Sequence, residues 1–177
     1  MPLNIRDFKS QVKDSLPATH YEVTVSPPGG GGDEISLRTE DISLPGLAFF
    51  SVDNYSPYGN GLTYGIPYRY TPQEITMTHT IDENGKILRI YRQWANKIVD
   101  LDGNDGGDGG KKYSAYYHED YARDMTIKLF NRKNIRTNLI TIYEAFPVVI
   151  EPAGMSWGNN DTLAKLNVTY RFTRFKL

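Results

Sequence analysis

Lys86-Ile87-Leu88-Arg89-Ile90-Tyr91-Arg92-Gln93-Trp94-Ala95-Asn96-Lys97-Ile98-Val99 is the one stretch of this chain with sustained helical periodicity. Apolar side chains recur at Ile87, Ile90, Tyr91, Trp94 and Ile98, the three-and-four spacing that lines one face of an α-helix. These five form the expected packing face, with Trp94 at its centre. The opposite face carries Lys86, Arg89, Arg92, Gln93, Asn96 and Lys97 and no carboxylate. Such a basic face is ordinarily a solvated one; the alternative reading makes Arg89, Arg92 and Lys97 an outer surface for an acidic partner. Asp82 or Asn84 is placed to cap the start. A helix of this length is marginal alone and takes its stability from packing. The rest of the chain reads largely as strands, so the helix is expected to flank a sheet.

Working outward, Tyr21, Val23 and Val25 alternate with Glu22 and Thr24, as a half-buried strand requires. Pro27, Pro28 and the glycines 29 to 32 break it, and a second strand is expected at residues 35–39, forming a hairpin across a flexible glycine tip. Leu44-Pro45-Gly46 turns the chain. Residues 51–67 are a long connection of Tyr, Gly, Asn and Pro, too irregular for a strand and too aromatic for a disordered linker, and loops of such length are usually functional or disordered. A strand at 74–81 puts Ile75, Met77 and Ile81 on one side, with His79 on the same apolar side. Residues 100–110, nearly all Asp, Gly and Asn, read as a solvated loop. Further strands are expected at 113–118, 125–130, 138–145 and 165–172, the last in strict alternation through Leu166, Val168, Tyr170 and Phe172. Residues 4–14 can form a short helix with Ile5, Phe8 and Val12 on one side. Six or seven strands and one helix predict a mainly β fold, a β-barrel or sandwich of two packed antiparallel sheets with one flanking α-helix and a long loop at 51–70.

Length and composition narrow the function. The chain has 177 residues, 39% of them hydrophobic, enough for one core and short for two, so a single domain spanning 1–177 is expected. With no cysteine, neither disulfides nor a thiolate zinc site stabilise it. No apolar run approaches the roughly 20 residues of a membrane helix, and the first residues lack a signal-peptide pattern, so a soluble product made in a cytoplasm and no membrane partner are expected. A net charge of -1 argues against a dedicated nucleic-acid binder. The 13 tyrosines cluster between Tyr55 and Tyr70 and between Tyr113 and Tyr121, amphipathic surfaces suited to being covered. Binding or assembly is favoured over catalysis.

The chemical motifs are weak. Asp100, Asp102 and Asn104 fall at the first, third and fifth positions of a calcium loop, but Asp105 stands where the sharp turn needs glycine and Lys111 where a bidentate glutamate closes the site. His20, His79 and His118 lie on three different elements, without metal-ligand spacing. Glu119 and Asp120, if on a strand, point to opposite faces and cannot flank one bond. The glycines 29 to 32 lack the Lys and Ser/Thr of a phosphate loop. Aromatics beside Arg69 and Arg123 could stack on bases, at low affinity without a basic domain. No enzyme activity, cofactor or metal is expected.

The order of elements resembles the tail tube proteins of contractile-tailed bacteriophages, a family related to the Hcp tube proteins of secretion systems. The likeness runs from Phe8 and Leu16-Pro17 into the strand Tyr21 to Val25, through Ser43-Leu44-Pro45-Gly46 and Asp82-Glu83 to the helix with Trp94. It continues through Tyr121-Ala122-Arg123-Asp124, Ala145-Phe146-Pro147 and Ser156-Trp157 to Val168-Thr169-Tyr170. The resemblance implies one tail-tube-like domain with residues 1–16 as an N-terminal arm, six copies in a ring, and rings stacked into a tube through which DNA passes. It implies a structural virion protein of the contractile tail, assembled in the host cytoplasm. The subunit is then either the repeating one or a tube-initiating ring at the baseplate, with sheath or baseplate proteins as partners and DNA passing non-specifically at ejection. It assigns the inter-ring contact to Tyr55, Tyr58, Tyr64, Tyr68, Arg69 and Tyr70. The rival from the residues alone is a monomeric carbohydrate-binding β-module that uses the tyrosines as stacking platforms; particle size separates the two.

Overall fold

Strand-forming alternation and one amphipathic helix organise the chain. The computed structural model describes residues 16–55, 63–100, 115–151, 154–155 and 163–177. In order these form β1 (Tyr21–Val25), α1 (Gly32–Arg38), β2 (Thr39–Ile42), β3 (Leu47–Tyr55), β4 (Thr63–Pro72), β5 (Ile75–Thr80) and α2 (Lys86–Ile98). They continue with α3 (His118–Tyr121), β6 (Arg123–Phe130), β7 (Arg136–Ile150), β8 (Lys165–Arg171) and β9 (Arg174–Lys176). The expected N-terminal helix, Tyr58, Tyr113, Trp157 and the Asp/Gly loop beyond Asp100 lie outside the described residues.

All ladders are antiparallel. The strands follow the path β1-β6-β7-β8-β5-β2, with β9 also on β7 and β3-β4 forming a separate pair. The 15-residue β7 serves two sheets. Its first part pairs with β6 and β9, and residues 146–150 pair with β8. The corner falls where the register shifts between Arg123 and Met125 and again between Pro147 and Val149. Glu144 takes a positive φ of 57° there, and its N–H donates to the Asp124 carboxylate at 3.1 Å, replacing the ladder bond lost at the bulge. The two free ends of the path come together at one point, where the Tyr21 hydroxyl donates to the Glu40 carbonyl at 2.6 Å. The result is two antiparallel sheets sharing β7, with a side chain bridging the opposite seam and no closed barrel among the described residues.

Alternation fills the space between the sheets. Val23 and Val25, Met125 and Ile127, Ile140 and Ile142, Leu166, Val168 and Tyr170, and Ile75 and Met77 are all buried in one core. Ile87, Tyr91 and Trp94 of α2 are buried with them, and Ile90 and Ile98 pack at the margin. Asp82 contributes to the helix start, its carboxylate accepting the Ile87 N–H at 3.2 Å, while Gly85 holds the cap position in a left-handed conformation with φ 62°.

Several expectations are corrected. Residues 35–39 are not a strand paired with β1: α1 occupies most of that stretch, and β1 pairs with β6 while β2 pairs with β5. Gly30 and Gly31, with φ 85° and 89°, turn the chain as only glycine does cheaply. Asp33 and Glu34 then favour the first helical turn, and Glu34 pairs with Arg38 at 3.2 Å. The glycine tip is docked, because a Cβ on Gly31 would meet the Ile90 side chain of α2 at 2.6 Å. Residues 113–118 do not make a strand among the described residues: Ala115 forms an isolated bridge to Val99, and α3 begins at His118. Glu119 and Asp120 are thus neighbours on a short helix, and the opposite-face argument does not apply to them. The described residues hold nine strands and three helices. The largest correction concerns residues 51–67.

Candidate assembly surface

The described parts of the stretch read as an irregular loop, 51–55 and 63–67, belong to a β-ribbon; residues 56–62 lie outside the described residues. Beyond the β2–β5 pairing, the Ser43 N–H donates to the Thr76 carbonyl and the Gln73 N–H to the Gly46 carbonyl, both at 2.9 Å. The ladder then continues from Leu47↔Pro72 to Tyr55↔Thr63. β2-β3 and β4-β5 are therefore two strands of one long ribbon whose distal part, β3–β4, leaves the sheet. The nine residues of β3 extend about 30 Å at the usual strand rise.

Opposed residues in an antiparallel pair share a face, so the register assigns the ribbon's two sides. One side carries Phe50 with Arg69, Val52 with Ile66 and Asn54 with Tyr64, the Asn54 amide donating to the Tyr64 hydroxyl at 2.8 Å. The other carries Leu47 and Phe49 with Pro72 and Tyr70 near the base, then the flat set Ser51, Pro67, Asp53 and Gly65. The register shift between Phe50 and Ser51 leaves Tyr68 as the extra residue. Among the described residues nothing covers either side: Phe49 is 68% exposed and Tyr68 67%. An isolated two-stranded ribbon is marginal in water, and apolar surface of this extent marks an interaction site.

The structure thus brings Tyr64, Tyr68, Arg69 and Tyr70 together on one projecting arm, with Tyr55 at the end of β3. Arg69 forms no ion pair among the described residues. The sequence reading missed Leu47, Phe49, Phe50, Val52 and Ile66, exposed residues of the same arm; the Ala48-Phe49-Phe50 run just before the supposed loop was their signal.

The basic residues of α2 face outward. Arg89, Arg92 and Lys97 are exposed, though each is engaged locally: Arg89 donates to the Asn84 carbonyl at 3.2 Å, and Lys97 lies 5.7 Å from the Tyr116 ring centroid. Lys86 reaches across to Glu34 at 3.2 Å, and its hydrogen bond, with that of Arg38, holds the Glu34 carboxyl below its ordinary range.

Beneath this face lies a directed chain of polar groups. The Thr39 hydroxyl donates to the Ile35 carbonyl at 2.7 Å, so toward His79 Nδ1, 3.2 Å away, it can only accept. His79 is then the Nδ1–H tautomer. Its bare Nε2 accepts from the Tyr91 hydroxyl at 2.7 Å, which in turn accepts from Tyr170 at 2.6 Å. Burial pulls His79 down to about 4 and raises both tyrosines.

The residues weighed for other chemistry are dispersed. His79 is in the core, His118 packs against Tyr121 and Phe146, and His20 sits beside Thr19. Arg123 is not placed to stack on a base, since its guanidinium donates to the carbonyls of Glu119, Asp120 and Ala122 at 2.9–3.1 Å. Trp94 pins the same turn, its indole donating to the Tyr121 carbonyl at 2.9 Å.

With the geometry in place, comparison with known proteins gives a consistent picture. A family model described as phage tail tube protein matches residues 11–177. No curated protein matches the chain. Among solved structures, the chain is similar to one from the PVC sheath-tube complex of an extracellular contractile injection system in its extended state, at 16% identity over 95% of each chain with TM-score 0.63. It is also similar to a chain of the anti-feeding prophage baseplate, at 8% identity over 93% of this chain and 96% of that one, with TM-score 0.66. A third is the PVC sheath/tube terminator, at 14% identity over 93% of this chain and 97% of the other, with TM-score 0.63. At these identities the likeness is one of fold.

Proposed function

This chain belongs to the phage tail tube protein family, a structural family and not an enzyme family, and from that premise we propose that it is a ring subunit of a phage tail tube in the virion. Six copies close a ring, rings stack, and DNA passes through the lumen. The observation that carries the reading is the β3–β4 ribbon, an arm about 30 Å long with apolar side chains on both faces and no cover among the described residues. Such an arm is stable only when another molecule covers it. Contact between rings through Tyr55, Tyr58, Tyr64, Tyr68, Arg69 and Tyr70 supplies that cover.

A lumen that passes DNA must not hold it, which favours a polar face without unpaired cations. The outer face of β5 and β8 has that character: Thr76, Thr78, Asn167 and Thr169 carpet it, and its cations are engaged, Lys165 with Glu40 at 2.7 Å and Arg171 with Glu74 at 2.6 Å. Sheath or baseplate proteins meet the exposed basic face of α2.

Electron micrographs of the concentrated protein test the reading. Tubes of indefinite length identify the repeating subunit; isolated six-fold rings identify a tube initiator. Replacing residues 49–70 with a short Gly-Ser linker should keep the strand signature in circular dichroism and abolish stacking. Normal tubes from that variant would remove the ribbon's role, and a folded wild-type chain that stays monomeric would overturn the tube reading.

A further inference from the structure

The ribbon needs a seat, and the fold leaves one strand edge suited to it. The two ends of the sheet path are bridged by Tyr21 and Glu40, so no strand can enter that seam there. β9 is only three residues long. The C-terminal part of β7 differs: β8 pairs with residues 146–150 from one side, while β6 leaves β7 at Arg123↔Ala145, so the other edge has no strand partner among the described residues. This edge carries Val148, Val149 and Ile150, the one run of consecutive exposed large hydrophobics outside the ribbon among the described residues. Apolar side chains beside unpaired backbone groups make a template for strand addition.

Donor and acceptor match in chemistry. β3 contains no proline, so each backbone N–H that faces away from β4 is free to donate, whereas β4 carries Pro67 and Pro72. On the ribbon's apolar side Arg69 stands without an ion pair among the described residues, and the β7 edge is bracketed by exposed Glu144 and Glu151. We propose that β3 of one copy adds alongside residues 148–150 of β7 in a neighbouring copy, setting Phe50 and Val52 beside the apolar side chains of that edge that share their face and bringing Arg69 toward the bracketing carboxylates. This rests on the tube reading above and names the surface the ribbon grips. The contact is head-to-tail, because the donor strand and acceptor edge are different surfaces of each copy, so it propagates through an assembly.

The absence of cysteine in the chain makes disulfide trapping a direct test. Val52→Cys is combined in one chain with Val148→Cys, Val149→Cys or Ile150→Cys, and in a control chain with Asp41→Cys on the bridged β2 edge. After mild oxidation of assembled protein, at least one β7 pair should give a ladder of covalent multimers on a denaturing gel, with the control monomeric and single-cysteine variants stopping at dimers. Tubes visible by microscopy with no ladder from any β7 pair would overturn this seat and leave the tube reading intact. Wild-type protein that forms neither rings nor tubes would instead remove the reading on which the proposal depends.

Discussion

His79 shows how much one buried side chain can reveal about stability. It lies on the inward side of β5 with Ile75 and Met77, where alternation placed it, fully buried and hydrogen-bonded to Thr39 and Tyr91. Burial lowers its pKa from 6.5 to about 4. The unfolded chain therefore binds a proton between those values that the folded chain refuses. For a depressed pKa of this kind the stability is fully present above pH 6.5 and is lost as pH falls toward 4, by about 3 kcal/mol in all. Urea unfolding at pH 7 and pH 4.5 should show the loss in the wild type, on top of any carboxylate effects, and a smaller loss in His79→Gln. Equal slopes for the two proteins would place His79 in a more solvated site than the structure shows. The sequence located His79 on the apolar face but could not foresee its partners, because Tyr91 and Tyr170 are 12 and 91 residues away and meet it only across the core.

At the level of elements, legibility followed burial. α2 and β8 were readable because each buries one face inside its own chain, and burial imposes a period, seen in Ile87, Tyr91 and Trp94 and in Leu166, Val168 and Tyr170. β3 and β4 were not readable: the described residues cover neither face, so apolar residues occur on both and no alternation survives. α1 failed differently, since it has seven residues and buries Ile35 alone, too few for a helical stripe. Its placement depends instead on the glycines before it. Gly31→Ala must accommodate both a left-handed backbone and the Ile90 side chain, and a loss of about 2–3 kcal/mol is expected. Gly30→Ala meets only the backbone strain, with open space around its Cβ, and should lose about 1 kcal/mol. Thermal melts of the two variants measure the difference; similar losses would mean that the tip is not packed on α2.

For the whole molecule, the mainly β architecture with a flanking helix was readable from the chain, and so was its family, while the surfaces that meet other molecules were readable only in part. A contact between molecules leaves no periodic trace inside one chain. The basic face of α2 is such a case, because Arg89, Arg92 and Lys97 stand out on a protein of net charge -1, yet exposed cations on a helix are ordinarily a solvated face. Their place in the fold favours a partner. The ribbon is the surface proposed above for copies of the same chain, and α2 is a separate element that turns its buried stripe inward and these three cations outward. Reversing all three to glutamate should leave ring and tube formation unchanged in micrographs, since none of them lies on the ribbon or the β7 edge. The same variant should lose co-sedimentation with an acidic sheath or baseplate partner. The wild-type association should also weaken as salt rises from 0.1 M to 1 M, where the screening length falls from about 10 Å to about 3 Å. Undiminished binding by the reversed variant would return Arg89, Arg92 and Lys97 to the solvent, and loss of tubes would show that α2 serves assembly and not attachment.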